Sequence, residues 1–109
     1  MNILFHCPTK FDLNSISNSK LGGIETLNLE LCNNLSSKDY NIYLSTICKK
    51  VIKRKNLTNL PITKLKKENH NYNFDLAVEF LHSMSFELDY LQDFHSLFLF
   101  QNLQLYFLG

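Results

Sequence analysis

Apolar and polar positions along this 109-residue chain switch between two periods. Residues 2–7 are a short apolar run ended by Pro8, the pattern of a central parallel strand buried on both faces. Residues 9–21, rich in Asn, Ser and Lys, have no periodicity and predict a loop long enough to carry function. After Gly22-Gly23, the residues Ile24, Leu27, Leu31 and Leu35 recur at spacings of three and four. They predict a helix with one apolar face, and Glu25 in its first turn suits the helix dipole. Residues 40–47 alternate and predict a second strand. Strand, helix and strand in this order predict a βαβ unit with a right-handed connection.

Beyond it the pattern is weaker. Residues 61–65 predict a short edge strand, residues 74–81 a third core strand, residues 85–94 a helix and residues 96–100 a fourth strand. The chain then closes on Leu103-Gln-Leu-Tyr-Phe-Leu-Gly109. An apolar ending of this kind predicts a truncation, or a surface built to be covered by something else.

Composition narrows the class. Hydrophobic residues make up 45% and charged residues 19%, enough for a packed core in one small domain or part of a larger one. A net charge of +1 gives no global pull towards nucleic acid or membrane. Locally the balance differs: eight of the eleven basic residues lie from Lys49 to Lys67, with no acid among them. A solvated loop surface is the plain reading; an anionic partner, such as lipid headgroups or phosphate, is the sharper one. Nucleic acid is disfavoured because aromatic residues are not interleaved there. The three cysteines, Cys7, Cys32 and Cys48, fit no zinc spacing and predict reduced, buried or half-buried thiols in a cytoplasmic setting. The first residues do not make a signal peptide, and no apolar stretch approaches the roughly 18 residues of a spanning helix. No metal site and no cofactor are expected.

Gly22-Gly23 is the leading candidate for chemistry. Adjacent glycines reach backbone angles closed to other residues and let a ligand approach the main chain. The helix behind them offers free N–H groups and a positive dipole end, suited to a diphosphate or a sugar hydroxyl. A simple turn is the alternative reading. The three-glycine dinucleotide fingerprint and the Gly-Lys-Ser/Thr of a P-loop are both missing. Glu79 and His82, at the end of the third strand, are weaker candidates for acid–base or substrate contact, with a plain surface role as the alternative. His6, near the end of the first strand, reads as a packed or hydrogen-bonded histidine, with a catalytic role as the alternative. His70 and His95 are assigned no role.

Residues 2–8 (Asn-Ile-Leu-Phe-His-Cys-Pro), Gly22-Gly23-Ile24-Glu25-Thr26 and the leucine-patterned helix together resemble the start of family 4 (group 1) glycosyltransferases. Tyr72-Asn-Phe-Asp75-Leu-Ala-Val78 resembles that family's "Tyr-Asp-Val-Val" strand, and residues 96–100 resemble the strand after it. The resemblance covers the chain in order; its most specific segment is Gly-Gly-Ile-Glu. It implies a GT-B enzyme of two Rossmann-like domains, of which residues 1–109 are an incomplete N-terminal, acceptor-side domain without the donor-side domain. The implied fold is α/β and three-layered, with a mostly parallel sheet. The implied activity is transfer of a sugar from a nucleotide-sugar to a glycan or lipid-linked acceptor, usually without metal, and the chain alone is expected to be inactive. By carry-over, Gly22, Gly23 and Glu25 take the cleft-side donor contacts. Gln101, followed by Asn102, stands where the family usually has a cleft histidine. The basic stretch then faces an anionic membrane surface, which places the protein at the inner face of the membrane. Two rival readings are a non-catalytic remnant or interaction module and a small flavodoxin-like binding domain.

Overall fold

The computed structural model describes residues 1–14, 22–68 and 71–80, together with the strand pairing of residues 94–100 and 103–108. Seven strands, β1 (Asn2–His6), β2 (Asn41–Thr46), β3 (Ile52–Arg54), β4 (Leu57–Pro61), β5 (Leu76–Phe80), β6 (Phe94–Phe100) and β7 (Leu103–Leu108), form one sheet. Among the described residues two helices, α1 (Gly23–Ser36) and α2 (Ile62–Glu68), accompany it. The sheet order is β3-β4-β2-β1-β5-β7-β6.

The fold is α/β, but the sheet is mixed rather than mostly parallel. β1 pairs in parallel with β2 and β5, and β2 with β4. The other three pairings, β3 with β4, β5 with β7 and β6 with β7, are antiparallel. The reason is local. Between β2 and β4 the chain runs back through the three-residue β3 instead of crossing through a helix, so the outer edge becomes a hairpin. Lys55 takes a left-handed φ of 49° in that hairpin's turn. At the other side, residues 103–108 are not an uncovered apolar tail: β7 is paired on both sides, to β5 and to β6. The helix expected over 85–94 lies outside the described residues, except for Phe94, which opens β6.

Counted among themselves, the four parallel strands run third, second, first, fourth. That is the order of doubly wound dinucleotide-binding sheets, and it differs from the second, first, third, fourth order of flavodoxin. The order reverses between β1 and β5, since β2 leaves β1 on one side and β5 returns on the other.

Side-chain alternation sorts the core into two faces. Ile3 and Phe5 of β1, Ile42 and Leu44 of β2, Leu57 of β4 and Val78 of β5 pack with Leu29 and Cys32 of α1. Leu4, Leu60 and Ala77 pack on the other face with Leu65 of α2. Tyr43 and Tyr72 flank that second cluster, each with its ring edge or face against Phe74 at 5.3 and 5.5 Å between centroids. The helical spacing predicts α1, but its buried stripe is shifted. Ile24, Asn28, Leu31, Cys32 and Leu35 face the sheet, whereas Leu27 is 40% exposed.

Two expectations change at the ends of elements. Residues 61–65 are not an edge strand; Pro61 ends β4 and Ile62 begins α2, whose one buried side chain is Leu65. A Lys64–Glu68 ion pair at 3.2 Å, one turn apart, supports this helix. Asp75 belongs to the amino edge of the sheet: its Oδ2 accepts the Asn2 N–H at 2.8 Å, and its own N–H donates to the Asn2 carbonyl. It fixes the register of β1 against β5.

The thiols behave as expected from burial. Cys7 and Cys32 are buried, while Cys48 is half-buried. Burial pushes the Cys7 thiol up to about 11, with a hydrogen bond to Thr9 opposing and the Glu25 charge adding to the rise. Burial raises Cys32 further. The folded thiol pKa lies above its ordinary value of 9.0, so Cys7 stabilises the fold fully below pH 9. That contribution is lost as pH rises from 9 towards about 11. A disulfide reagent at mildly alkaline pH should therefore modify Cys48 rapidly, and Cys7 and Cys32 only after denaturant is added. Rapid modification of all three in native buffer would contradict this packing.

Candidate functional site

The site lies at the carboxyl edge of β1, where the chain leaves the sheet through Cys7, Pro8 and Thr9 towards α1. In open α/β sheets the crevice at the strands' carboxyl ends, at the point where strand order reverses, is the usual ligand site. Here that point is between β1 and β5, and the register there pairs His6 with Glu79.

Gly22 is the N-cap of α1, with φ −73° and ψ 174°, and Gly23 is the first helical residue. The Gly22 angles are extended and open to any residue, so the freedom of a glycine is not used there. What the pair provides is space. Among the described residues a Cβ on Gly23 would meet nothing within 4 Å, and one on Gly22 would meet only the flexible Glu25 carboxylate, at 2.8 Å. Both glycines are exposed among those residues.

Glu25 has a defined task. Its Oε1 accepts the Gly22 N–H at 2.9 Å, the half of a capping box open to a glycine N-cap. Its Oε2 accepts the Thr9 hydroxyl at 3.2 Å. Glu25 therefore ties the end of β1 to the start of α1, and acts by positioning the glycines. Thr26 adds a hydroxyl bond to the Gly22 carbonyl at 3.0 Å.

The loop after β1 is held from below by a buried polar cluster that the sequence pattern does not reveal. Asn59, fully buried on β4, accepts the Leu13 N–H on its Oδ1 at 3.1 Å. Its Nδ2 donates to the Leu44 carbonyl and to the Thr46 hydroxyl oxygen, each at 3.0 Å. The Thr46 hydroxyl in turn donates to the Phe11 carbonyl at 2.7 Å. Residues 11–13, which lead towards Gly22, are pinned to the strand ends by these two side chains.

On the opposite face, Ser45, His6 and Glu79 occupy one row across β2, β1 and β5. His6 Nδ1 and the Ser45 hydroxyl share a 2.6 Å hydrogen bond, and His6 Nε2 lies 3.9 Å from Glu79 Oε2. The sequence of serine, imidazole and carboxylate matches that of a nucleophile–base–acid relay. The geometry does not complete one: 3.9 Å exceeds a hydrogen bond, and Ser45 is fully buried with its hydroxyl 3.4 Å from the Phe5 carbonyl. The row is buried polar support beneath the strand ends. Sequence reading found Glu79 but missed its partner Ser45, because only strand register brings the two onto either side of His6.

Asn28 is the second residue missed. It is buried in α1, its Nδ2 donates to the Ile24 carbonyl at 2.8 Å, and its Oδ1 has no hydrogen-bond partner among the described residues. Gln101 and His82 lie outside the described residues. Among the described residues no cluster of His, Cys, Asp or Glu is suited to hold a metal ion. No helix of the described residues is long and apolar enough to cross a membrane.

The structure also redistributes the basic stretch. Arg54 and Lys55 go to the β3–β4 hairpin at the amino edge, where Arg54 donates to the Asn14 side chain at 2.7 Å. Lys49 and Lys50 instead join Lys64 and Lys67 around a groove of about 390 Å³. The α/β sheet thus carries, among the described residues, an exposed helix start on one face and a separate basic groove on the other. Compared with known protein families, characterised proteins and solved structures, the chain gives no match.

Proposed function

We propose that this chain is the acceptor-side, Rossmann-like part of a GT-B glycosyltransferase, in which the Gly22–Gly23 helix start faces a nucleotide-sugar. The observation that carries the reading is the coincidence at one sheet edge of the reversal of strand order and of the helix start capped by Glu25. The strand order supports a Rossmann-like reading over a flavodoxin-like one. Backbone N–H groups at such a helix start stabilise the charge that develops on a leaving diphosphate. The acceptor in this reading is a glycan or a lipid-linked glycan. The donor-side domain supplies the remaining catalytic groups, so residues 1–109 bind without turning over. A cytoplasmic location, next to the inner face of the membrane, belongs to the same proposal.

Titration of the isotope-labelled chain with uridine, guanosine and adenosine diphosphate sugars tests this by amide NMR. The shifts expected are at Gly22, Gly23 and Ile24, and Gly23→Val should abolish them while leaving the rest of the spectrum in place. Silence at these amides with every nucleotide-sugar at millimolar concentration sinks the reading.

A further inference from the structure

The lysines that meet in the groove come from two segments separated in sequence. After β2 the chain crosses the carboxyl end of β4 through Ile47, Cys48, Lys49, Lys50 and Val51 before turning back as β3. α2 starts from the same end of β4. Lys49 and Lys50 therefore come to face Lys64 and Lys67, with Pro61, Val51 and Thr63 forming the rest of the wall. The geometry points to a phosphate-binding groove in which Lys49, Lys50, Lys64 and Lys67 surround the phosphate groups of a compact polyanion.

Charge carries the argument. Among the described residues that line the groove Glu68 is the one acid, and it is engaged with Lys64 at 3.2 Å. Among the described residues Lys49, Lys50 and Lys67 have no carboxylate partner, so the cleft holds three positive charges in excess. A concave surface lined by one sign of charge concentrates counter-ions, and its field is stronger than that of the same lysines spread over a convex surface. Ammonium groups bind phosphate as point charges without a fixed fork, which suits a groove whose walls are flexible lysine side chains. The Thr63 hydroxyl adds one neutral hydrogen-bonding group at the rim.

Size and lining fix the class of ligand. About 390 Å³ lies within the roughly 300–1,000 Å³ of small-molecule sites, which admits a diphosphate with its hydration. Among the described residues no aromatic side chain lines the groove, so they offer no platform on which nucleic-acid bases would stack. The groove belongs to the α2 face of the sheet, whereas the Gly22–Gly23 helix start belongs to the α1 face. It is a second anion site, and it does not depend on the transferase reading.

Calorimetric titration of the whole chain with inorganic pyrophosphate at low salt should show saturable binding that weakens as salt is added. Lys49→Gln with Lys64→Gln should weaken it about tenfold or more, because two charge-assisted contacts go and Glu68 is released into the groove. Lys53→Gln with Lys55→Gln removes the same charge from the hairpin and should change it less than about twofold. If circular dichroism shows that the first pair has lost the fold, Lys50→Gln with Lys67→Gln serves instead. Absence of saturable heat, or equal weakening by the groove and hairpin pairs, overturns the site. Co-sedimentation with phosphatidylcholine vesicles, with and without phosphatidic acid, identifies the source of the phosphate. Vesicle binding that pyrophosphate displaces and the groove pair loses assigns it to a lipid headgroup. Pyrophosphate binding without vesicle binding assigns it to a soluble ligand.

Discussion

Asn59→Ala is expected to lower the stability of the fold by about 3 kcal/mol, combining an orphaned buried donor with the volume lost. Asn59 is fully buried and makes three hydrogen bonds, to Leu13, Leu44 and Thr46. Its removal leaves the Leu13 N–H without its acceptor inside the core, and it loosens the Thr46 hydroxyl that holds the Phe11 carbonyl. Asn59→Asp should be worse at neutral pH, since a carboxylate would face the Leu44 carbonyl and the Thr46 oxygen, where the amide now donates. Urea unfolding of the three proteins measures the order. Hydrogen exchange at Leu13 gives a second readout, because that amide should lose protection in both variants even where the sheet stays protected. A loss of stability below about 1 kcal/mol in Asn59→Ala would mean that this cluster is not the anchor of the loop.

Leu44→Ala is expected to cost about 3–4 kcal/mol, the range for a fully enclosed leucine whose surroundings collapse only in part. Leu44 lies on β2 with no exposed surface, between β1 and β4, on the face covered by α1. Domains of this size are stable by only about 5–15 kcal/mol, so the change removes a large fraction of the total. Leu44→Met keeps the volume and should cost less than about 1.5 kcal/mol. Urea midpoints at unchanged slope distinguish the two. Equal, small losses for both would show that α1 does not cover this part of the sheet.

Together these residues show how the carboxyl edge is built. On the α1 face, Glu25 closes the helix start onto Thr9, and Asn59 with Thr46 holds residues 11–13 from beneath. On the α2 face, His6 shares a hydrogen bond with Ser45 and lies beside Glu79 under the same strand ends. The start of α1 is thus tied to Thr9 through Glu25, above strand ends that carry buried polar bonds.

By itself the sequence determined the elements whose causes are local. The apolar run before Pro8 became β1, the spacing of Ile24, Leu31 and Leu35 became α1, and the glycines with Glu25 marked its start. It placed Cys7 and Cys32 inside, because each sits on a buried element. It misread residues 61–65, where β-favouring Ile62 and Thr63 suggest a strand. There the burial of Leu65 against Leu4 and Leu60, with the Lys64–Glu68 pair, outweighs intrinsic preference and gives a helix. Only the tertiary structure decided which strands are neighbours. Alternation along a strand says which side chains share a face, but nothing in it names the strand alongside, since pairing partners are distant in sequence. That choice made the sheet mixed, put β7 between β5 and β6, and set Ser45, His6 and Glu79 in one row. It also drew Lys49 and Lys50 away from the lysines next to them in sequence and across to Lys64 and Lys67, because β3 turns the chain back at the sheet edge.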